Sequence, residues 1–197
     1  SASLMLRLVE EVRESSMRLR KEPKGETFSR FNRVVRDLSV ESGKDIRIAI
    51  SGGDTELDKT VVEKINDPLM HIVRNAIDHG IETPAVRRES GKPEKATIRL
   101  DAFHDAGCIV IEVSDDGRGL DRDKIMQKAV SIGMAAPGQL LSDGEIFGMI
   151  FRPGFSTADE VTKLSGRGVG MDVVKRNIDS LRGTVEVKSK EGAGVTV

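Results

Sequence analysis

A chain of 197 residues with 38% hydrophobic content is long enough for one compact domain with a short appendage, and too short for two full-sized domains. Its 31 basic and 32 acidic side chains nearly cancel, so no overall field holds it on nucleic acid or on an anionic membrane, and any anionic ligand needs a local site. The single cysteine, Cys108, excludes an internal disulfide framework and a multi-cysteine metal site and fits a reducing cytosol. No apolar stretch approaches the roughly 20 residues that span a bilayer, and the N-terminus lacks a signal-peptide pattern. A soluble, cytoplasmic protein without membrane insertion or nucleic-acid binding is expected. The start at Ser1 and the stop at Val197, inside an alternating run, lead us to expect a piece of a larger protein.

In chain order, Met5, Leu8, Val12 and Leu19 form one helical stripe on a charged segment, which predicts a helix. Arg20 to Gly25 combines charge with Pro and Gly and reads as a linker. Residues 1–25 are therefore expected to be a helical tail and linker from a preceding dimerisation region, and residues 26–197 the main domain. Phe28, Phe31, Val34, Val35 and Leu38 fall at helical spacing, with Gly43 as a stop, and Ile46, Ile48 and Ile50 alternate as a strand. Asp67-Pro68 suits the cap and first turn of a helix running to about His79, with Gly80 ending it. Ile98, Leu100, Ala102 and Ile109, Ile111, Val113 alternate around Asp105-Ala106-Gly107, a predicted hairpin. Val185, Val187 and then Val195, Val197 around Glu191-Gly192 predict a second. Between the hairpins, residues 133–167 form a long loop-rich stretch of the kind that serves as a lid, with a short helical pattern near Glu145 to Phe151. The sum is an α+β two-layer sandwich, a mixed β-sheet covered on one face by helices.

Three motifs carry candidate chemistry. In the segment from Asp67 to Gly80, Leu69, Ile72, Val73, Ala76 and Ile77 face a core, which leaves His71, Asn75, Asp78 and His79 on the other side. The Asn75 carboxamide oxygen suits Mg²⁺, which prefers oxygen donors and keeps nucleotide phosphates and waters in its shell. A zinc site built on His71 and His79 does not fit, because eight residues of continuous helix separate them by about 12 Å. An isolated segment of this kind reads as an ordinary solvated face. Second, Asp115-Asp116-Gly117-Arg118-Gly119 follows a strand. There a carboxylate can accept from the exocyclic amine of adenine, and glycines let the backbone approach a planar base; alone, it is also a common capped turn. Third, Ser165-Gly166-Arg167-Gly168-Val169-Gly170-Met171-Asp172 leads into Val173, Val174, Ile178 and Leu181 at helical spacing. Such a run presents N–H groups and a positive helix end to phosphates, although a lone glycine run is more often a flexible loop. It is neither a P-loop nor a full dinucleotide fingerprint.

The order of the three, helix with Asn, then strand-Asp-x-Gly-x-Gly, then a long lid ending in Gly-x-Gly-x-Gly-helix, resembles the ATPase fold shared by gyrase, Hsp90, histidine kinases and MutL (the Bergerat fold), where these are the N, G1 and G2 boxes. The sequence His71 to Glu82 looks like the N box of chemotaxis histidine kinases of the CheA family. In the same way, Phe151-Arg-Pro-Gly-Phe155-Ser156-Thr157 resembles that family's phenylalanine box and Ser165 to Val174 its G2 box. The resemblance implies that Asn75 binds Mg²⁺, that Asp78 joins it at the nucleotide, and that Asp115 takes the adenine amine. It places Gly117 and Gly119 on the base plane and Gly166, Gly168 and Gly170 on the phosphates, with His71, His79, Lys124 and Lys128 as catalytic groups near them. Lys124 and Lys128 lie four apart on a predicted helix, so both can point at one anion.

The implied activity is transfer of the γ-phosphoryl group of Mg·ATP to a histidine on a separate phosphotransfer domain in two-component signalling. Response regulator, receptor and coupling proteins would be partners of the full-length protein. The alternative is an ATP-binding regulatory or scaffold module. His71 stands where ATP-driven clamps of this fold have the water-activating Glu, so slow hydrolysis is expected. Val195 follows Gly194 where the family usually has Thr or Ser. A monomer or weak dimer is expected.

Overall fold

The computed structural model describes residues 2–9 (backbone), 28–52, 57, 59–155 and 170–190. The elements are β1 (Ala2–Val9), α1 (Ser29–Ser42), β2 (Ile46–Ser51), α2 (Lys59–Asn75), a π-helical turn (Ala76–Gly80), α3 (Pro84–Glu89), β3 (Ala96–Asp105), β4 (Cys108–Asp115), α4 (Arg122–Ser131), α5 (Asp143–Gly148), a 3₁₀ turn (Met149–Phe151), α6 (Met171–Ser180) and β5 (Thr184–Ser189). The sheet runs β2-β3-β4-β1-β5; β2 and β3 are parallel and every other pairing is antiparallel. The β3–β4 hairpin closes on Ala106 and Gly107, both at positive φ, a two-residue turn whose twist matches that of the strands.

Alternation makes the sheet one-sided. On β3, Ala96, Ile98, Leu100 and Ala102 are buried while Arg99 and Phe103 are exposed. On β4, Ile109, Ile111 and Val113 face the same interior. Against this face pack Phe31, Val35 and Leu38 of α1, Val62, Ile65, Leu69, Ile72 and Val73 of α2, and Val174 and Ile178 of α6. Helices on one face of a mixed sheet are the α+β two-layer architecture expected. A smaller cluster joins Ile125 and Ala129 of α4 to Ile146, Phe147, Met149 and Phe155. Each fully buried Ile or Leu contributes about 1.5–3 kcal/mol. Ile98→Ala, at 0% exposure on a central strand, is expected to destabilise the fold by about 2–5 kcal/mol, read from the denaturant midpoint.

Two local expectations are corrected. The helix expected from Met5 to Leu19 is a strand over Ala2–Val9, with Leu4, Leu6 and Leu8 in register with Val113, Ile111 and Ile109. The segment carries a period of two as well as a helical stripe, and sheet pairing selects the former; residues 10–27 lie outside the described residues. The tail is therefore not a separate helix in its first residues, which join the sheet of the main domain. Likewise α2 starts at Lys59, and Pro68 sits inside it. Val62, Ile65 and Leu69 are all buried and continue one apolar stripe through the proline, so packing offsets the missing N–H. The strand β5 pairs with β1, and the partner expected for it in a second hairpin, Val195 to Val197, lies outside the described residues. Among the described residues no helix is long and apolar enough to cross a membrane.

Candidate functional site

The site is assembled where the end of α2, the end of β4 and the start of α6 meet. At Ala76 the helix widens into a π turn, closed by the Ile81 N–H donating to the Ala76 carbonyl at 2.8 Å. A π turn leaves carbonyls without their usual partners, and Lys44, from the loop after α1, donates to those of Ile77 and of Asp78 (3.2 Å). Burial lowers the Lys44 pKa, with Asp78 opposing and Arg118 adding to the shift. Asp78 and His79 point to solvent.

Asn75, the last residue of α2, is held on its nitrogen side. Its Nδ2 lies 3.3 Å from His71 Nε2 and donates to Met171 Sδ at 3.2 Å. An amide N–H₂ can only donate, so in this contact His71 accepts through Nε2 with its proton on Nδ1, and the carboxamide oxygen is the Asn75 atom left to meet a metal. Burial lowers the His71 pKa below the ordinary 6.5; the charge of Arg74 lowers it further and Asp172 opposes. The folded protein thus binds this proton less readily than the unfolded chain. The His71 contribution to stability is complete above about 6.5 and lost as pH falls through the lower folded value. Thermal unfolding between pH 7 and pH 5 is expected to show an acid-induced loss for the wild type that His71→Gln reduces.

The G1 turn packs directly on the end of the N box. The Arg118 N–H donates to the Gly80 carbonyl at 2.9 Å, and Gly117 N–H donates to Asp115 Oδ1 at 2.8 Å. A Cβ on Gly117 would stand 2.3 Å from the Gly80 carbonyl oxygen, so only glycine permits this approach. Gly119 is at φ +80, a conformation that also selects glycine. A Cβ on Gly80 would meet the Asp115 carboxylate at 3.6 Å, which puts that carboxylate beside the N-box terminus.

Gly170 is the N-cap of α6, whose Met171 reaches Asn75 and whose Asp172 pairs with Arg176 at 3.0 Å. Gly166 and Gly168 lie outside the described residues. The two lysines of α4 have different partners: Lys124 pairs with the N-cap carboxylate of Asp121 at 3.2 Å, while Lys128 Nζ lies 5.0 Å from the centre of the Phe155 ring, within cation–π range. The structure therefore brings His71, Asn75, Asp115, Gly117 and Gly170 into one assembly, with the exposed Asp78 and His79 and the half-buried Gly119 at its margin, and leaves the lysines engaged separately. A groove of about 460 Å³ lies elsewhere, between α5 and β5 with Phe147, Phe151 and Val187 in its wall, and contains none of these residues. Sequence reasoning missed Met171 as a partner of Asn75, and also Glu82, Arg87 and Lys92, which lie behind the G1 turn. Charged residues in a short segment carry no sequence signal that separates a buried network from a solvated face.

Residues 64–197 match the family described as histidine kinase-, DNA gyrase B-, and HSP90-like ATPase. The chain belongs to this ATPase family. It is also 50% identical over 197 residues to chemotaxis protein CheA of Salmonella typhimurium, covering 100% of this chain and 29% of that protein. It is 50% identical over 194 residues to chemotaxis protein CheA of Treponema pallidum, covering 98% and 24%. To the sensor histidine kinase CheAY of Helicobacter pylori it is 50% identical over 182 residues, covering 91% and 23%. The chain thus spans less than a third of each of these relatives.

Proposed function

We propose that residues 26–197, together with the β1 strand that residues 2–9 add to their sheet, form the catalytic domain of a chemotaxis-type histidine kinase, which binds Mg·ATP and passes its γ-phosphoryl group to a histidine on a separate phosphotransfer domain. The proposal extends to a response regulator and to receptor and coupling proteins acting through the longer protein, in the cytoplasm. One observation carries it: Asn75, held by His71 and Met171, lies at the same N-box terminus that packs on the Asp115–Gly117 turn. A phosphate-side oxygen donor and a base-side carboxylate are thereby fixed on one rigid frame. The similarity to chemotaxis proteins supports the same reading.

In this reading Asp115 accepts from the adenine amine, while Gly117 and Gly119 give the ring access to the backbone. Gly166, Gly168 and Gly170 then receive the phosphates at the head of α6. Asn75 fits Mg²⁺ because its oxygen is the free end of an amide pinned through nitrogen. Mg²⁺ would supply charge neutralisation across the β- and γ-phosphates. His79, Asp78, Lys124 and Lys128 would complete the phosphate side, the lysines by leaving Asp121 and Phe155 for the anion. The incoming imidazole is itself the nucleophile, so the domain's work is positioning and electrostatic stabilisation.

His71 is kept neutral and accepts from Asn75, so it is a poor base for activating water, and ATP turnover without an acceptor is expected to be slow. The test is incubation of the protein with γ-labelled ATP, with and without a phosphoacceptor histidine domain from one of the chemotaxis relatives. Label on the acceptor's histidine with little free phosphate supports the proposal. Rapid free-phosphate release without acceptor would point to a clamp ATPase, and nucleotide binding without any transfer to a regulatory module.

A further inference from the structure

The two buried charged side chains among the described residues, Glu82 at 7% and Arg87 at 1% exposure, sit together behind the G1 turn. Arg87 donates through Nε to the Pro93 carbonyl at 2.6 Å, and through Nη1 to Glu82 Oε2 and the Asp116 carbonyl, both at 3.1 Å. Its Nη2 lies 3.1 Å from Asp116 Oδ2 as an ion pair without hydrogen-bond alignment. Lys92 Nζ donates to Glu82 Oε1 at 2.8 Å, to the Asp116 carbonyl at 3.3 Å and to the Gly117 carbonyl at 2.8 Å. The remaining Asp116 oxygen accepts from the Thr97 N–H at 3.0 Å. Burial pushes the Glu82 pKa up, but the hydrogen bond and charge of Lys92, aided by Arg87, outweigh it and hold the carboxyl below its ordinary value.

A buried ion cluster is weak support for stability, since desolvation of the charges offsets most of their attraction and apolar residues pack as well. What this cluster does, and apolar residues cannot, is fix where two backbone carbonyls point. Lys92 draws the carbonyls of residues 116 and 117 to one side, with Arg87 sharing that of residue 116, and the Gly117 N–H is then donated to Asp115 Oδ1. The direction of the Asp115 carboxylate is set through that turn.

We propose that Glu82, Arg87 and Lys92 are positioning residues of the base site: they hold the 115–117 turn in the shape that aims Asp115, and so set discrimination for adenine. The inference rests on the nucleotide reading given above. It is tested by titrating a non-hydrolysable ATP analogue and its GTP counterpart, in Mg²⁺, into wild type, Lys92→Met and Lys92→Arg, with thermal unfolding measured alongside. The expected result is that Lys92→Met weakens the ATP analogue about tenfold, the scale of one charge-assisted hydrogen bond. The GTP analogue should be unaffected, so the ratio of the two affinities narrows, and Lys92→Arg should restore most of it. If Lys92→Met lowers the melting temperature while the ratio stays at the wild-type value, the cluster is structural and the inference is overturned. Should Lys92→Met fail to fold, Lys92→Gln carries the same two outcomes. A folded wild type that binds both analogues equally would sink the base-site assignment itself, and the positioning role with it.

Discussion

Replacing Asp115 with alanine is expected to weaken binding of an ATP analogue about a hundredfold, or about 2.7 kcal/mol, in a protein that still folds. Two losses combine. The carboxylate that would accept from the adenine amine disappears, a charge-assisted bond of about 1.5–3 kcal/mol. The Gly117 N–H also loses its 2.8 Å acceptor, so the turn gives up one of the bonds that hold it. Competition against a fluorescent nucleotide checks this, with circular dichroism to establish folding. Because the triphosphate side is untouched, the same variant should bind a GTP analogue as weakly as wild type does. An unchanged affinity for the ATP analogue would remove Asp115 from the base site.

Asn75→Ala is expected to lower phosphotransfer by roughly a thousandfold, a scale typical of removing one preorganised electrostatic contact from a transfer site. The residue lies between His71 and Met171, and its oxygen is the candidate metal donor, so the variant should lose the effect of Mg²⁺ on nucleotide affinity. Affinity measured in EDTA should hardly move. That split distinguishes a metal ligand from a packing residue, which would lower both. Initial rates with a labelled acceptor domain, together with titrations in Mg²⁺ and in EDTA, decide between them.

Much of the frame is legible because its elements follow simple periods. The run Ala96 to Ala102 alternates and is buried on alternate residues, and Ala106-Gly107 supplies the positive φ pair of a two-residue hairpin. Gly43 ends α1 in the left-handed conformation, as a glycine stop implies. Elsewhere two local rules compete and tertiary contacts choose. Asp67-Pro68 satisfies the rule for a helix start, yet the stripe through Val62, Ile65 and Leu69 carries α2 through it. The N-terminal segment supports both periods, and pairing with β4 and β5 settles residues 2–9 as strand.

At the site, Asn75 and Asp115 stand out as motif positions. The groups that orient them do not, because their contacts span long stretches of chain: Met171 reaches Asn75 across 96 residues, and Lys92 reaches the Gly117 carbonyl across 25. A charge such as Arg87, read alone, belongs on a solvated helix face; only the fold brings Glu82, Asp116 and the Pro93 carbonyl around it.

The most direct measurement is calorimetric titration of the wild-type protein with a non-hydrolysable ATP analogue, with and without Mg²⁺. The expected result is a single site of micromolar affinity, tightened by Mg²⁺ and selective for adenine over guanine. A folded protein that takes up no ATP analogue under either condition would contradict the reading of Asn75 and Asp115 as the two ends of a nucleotide site.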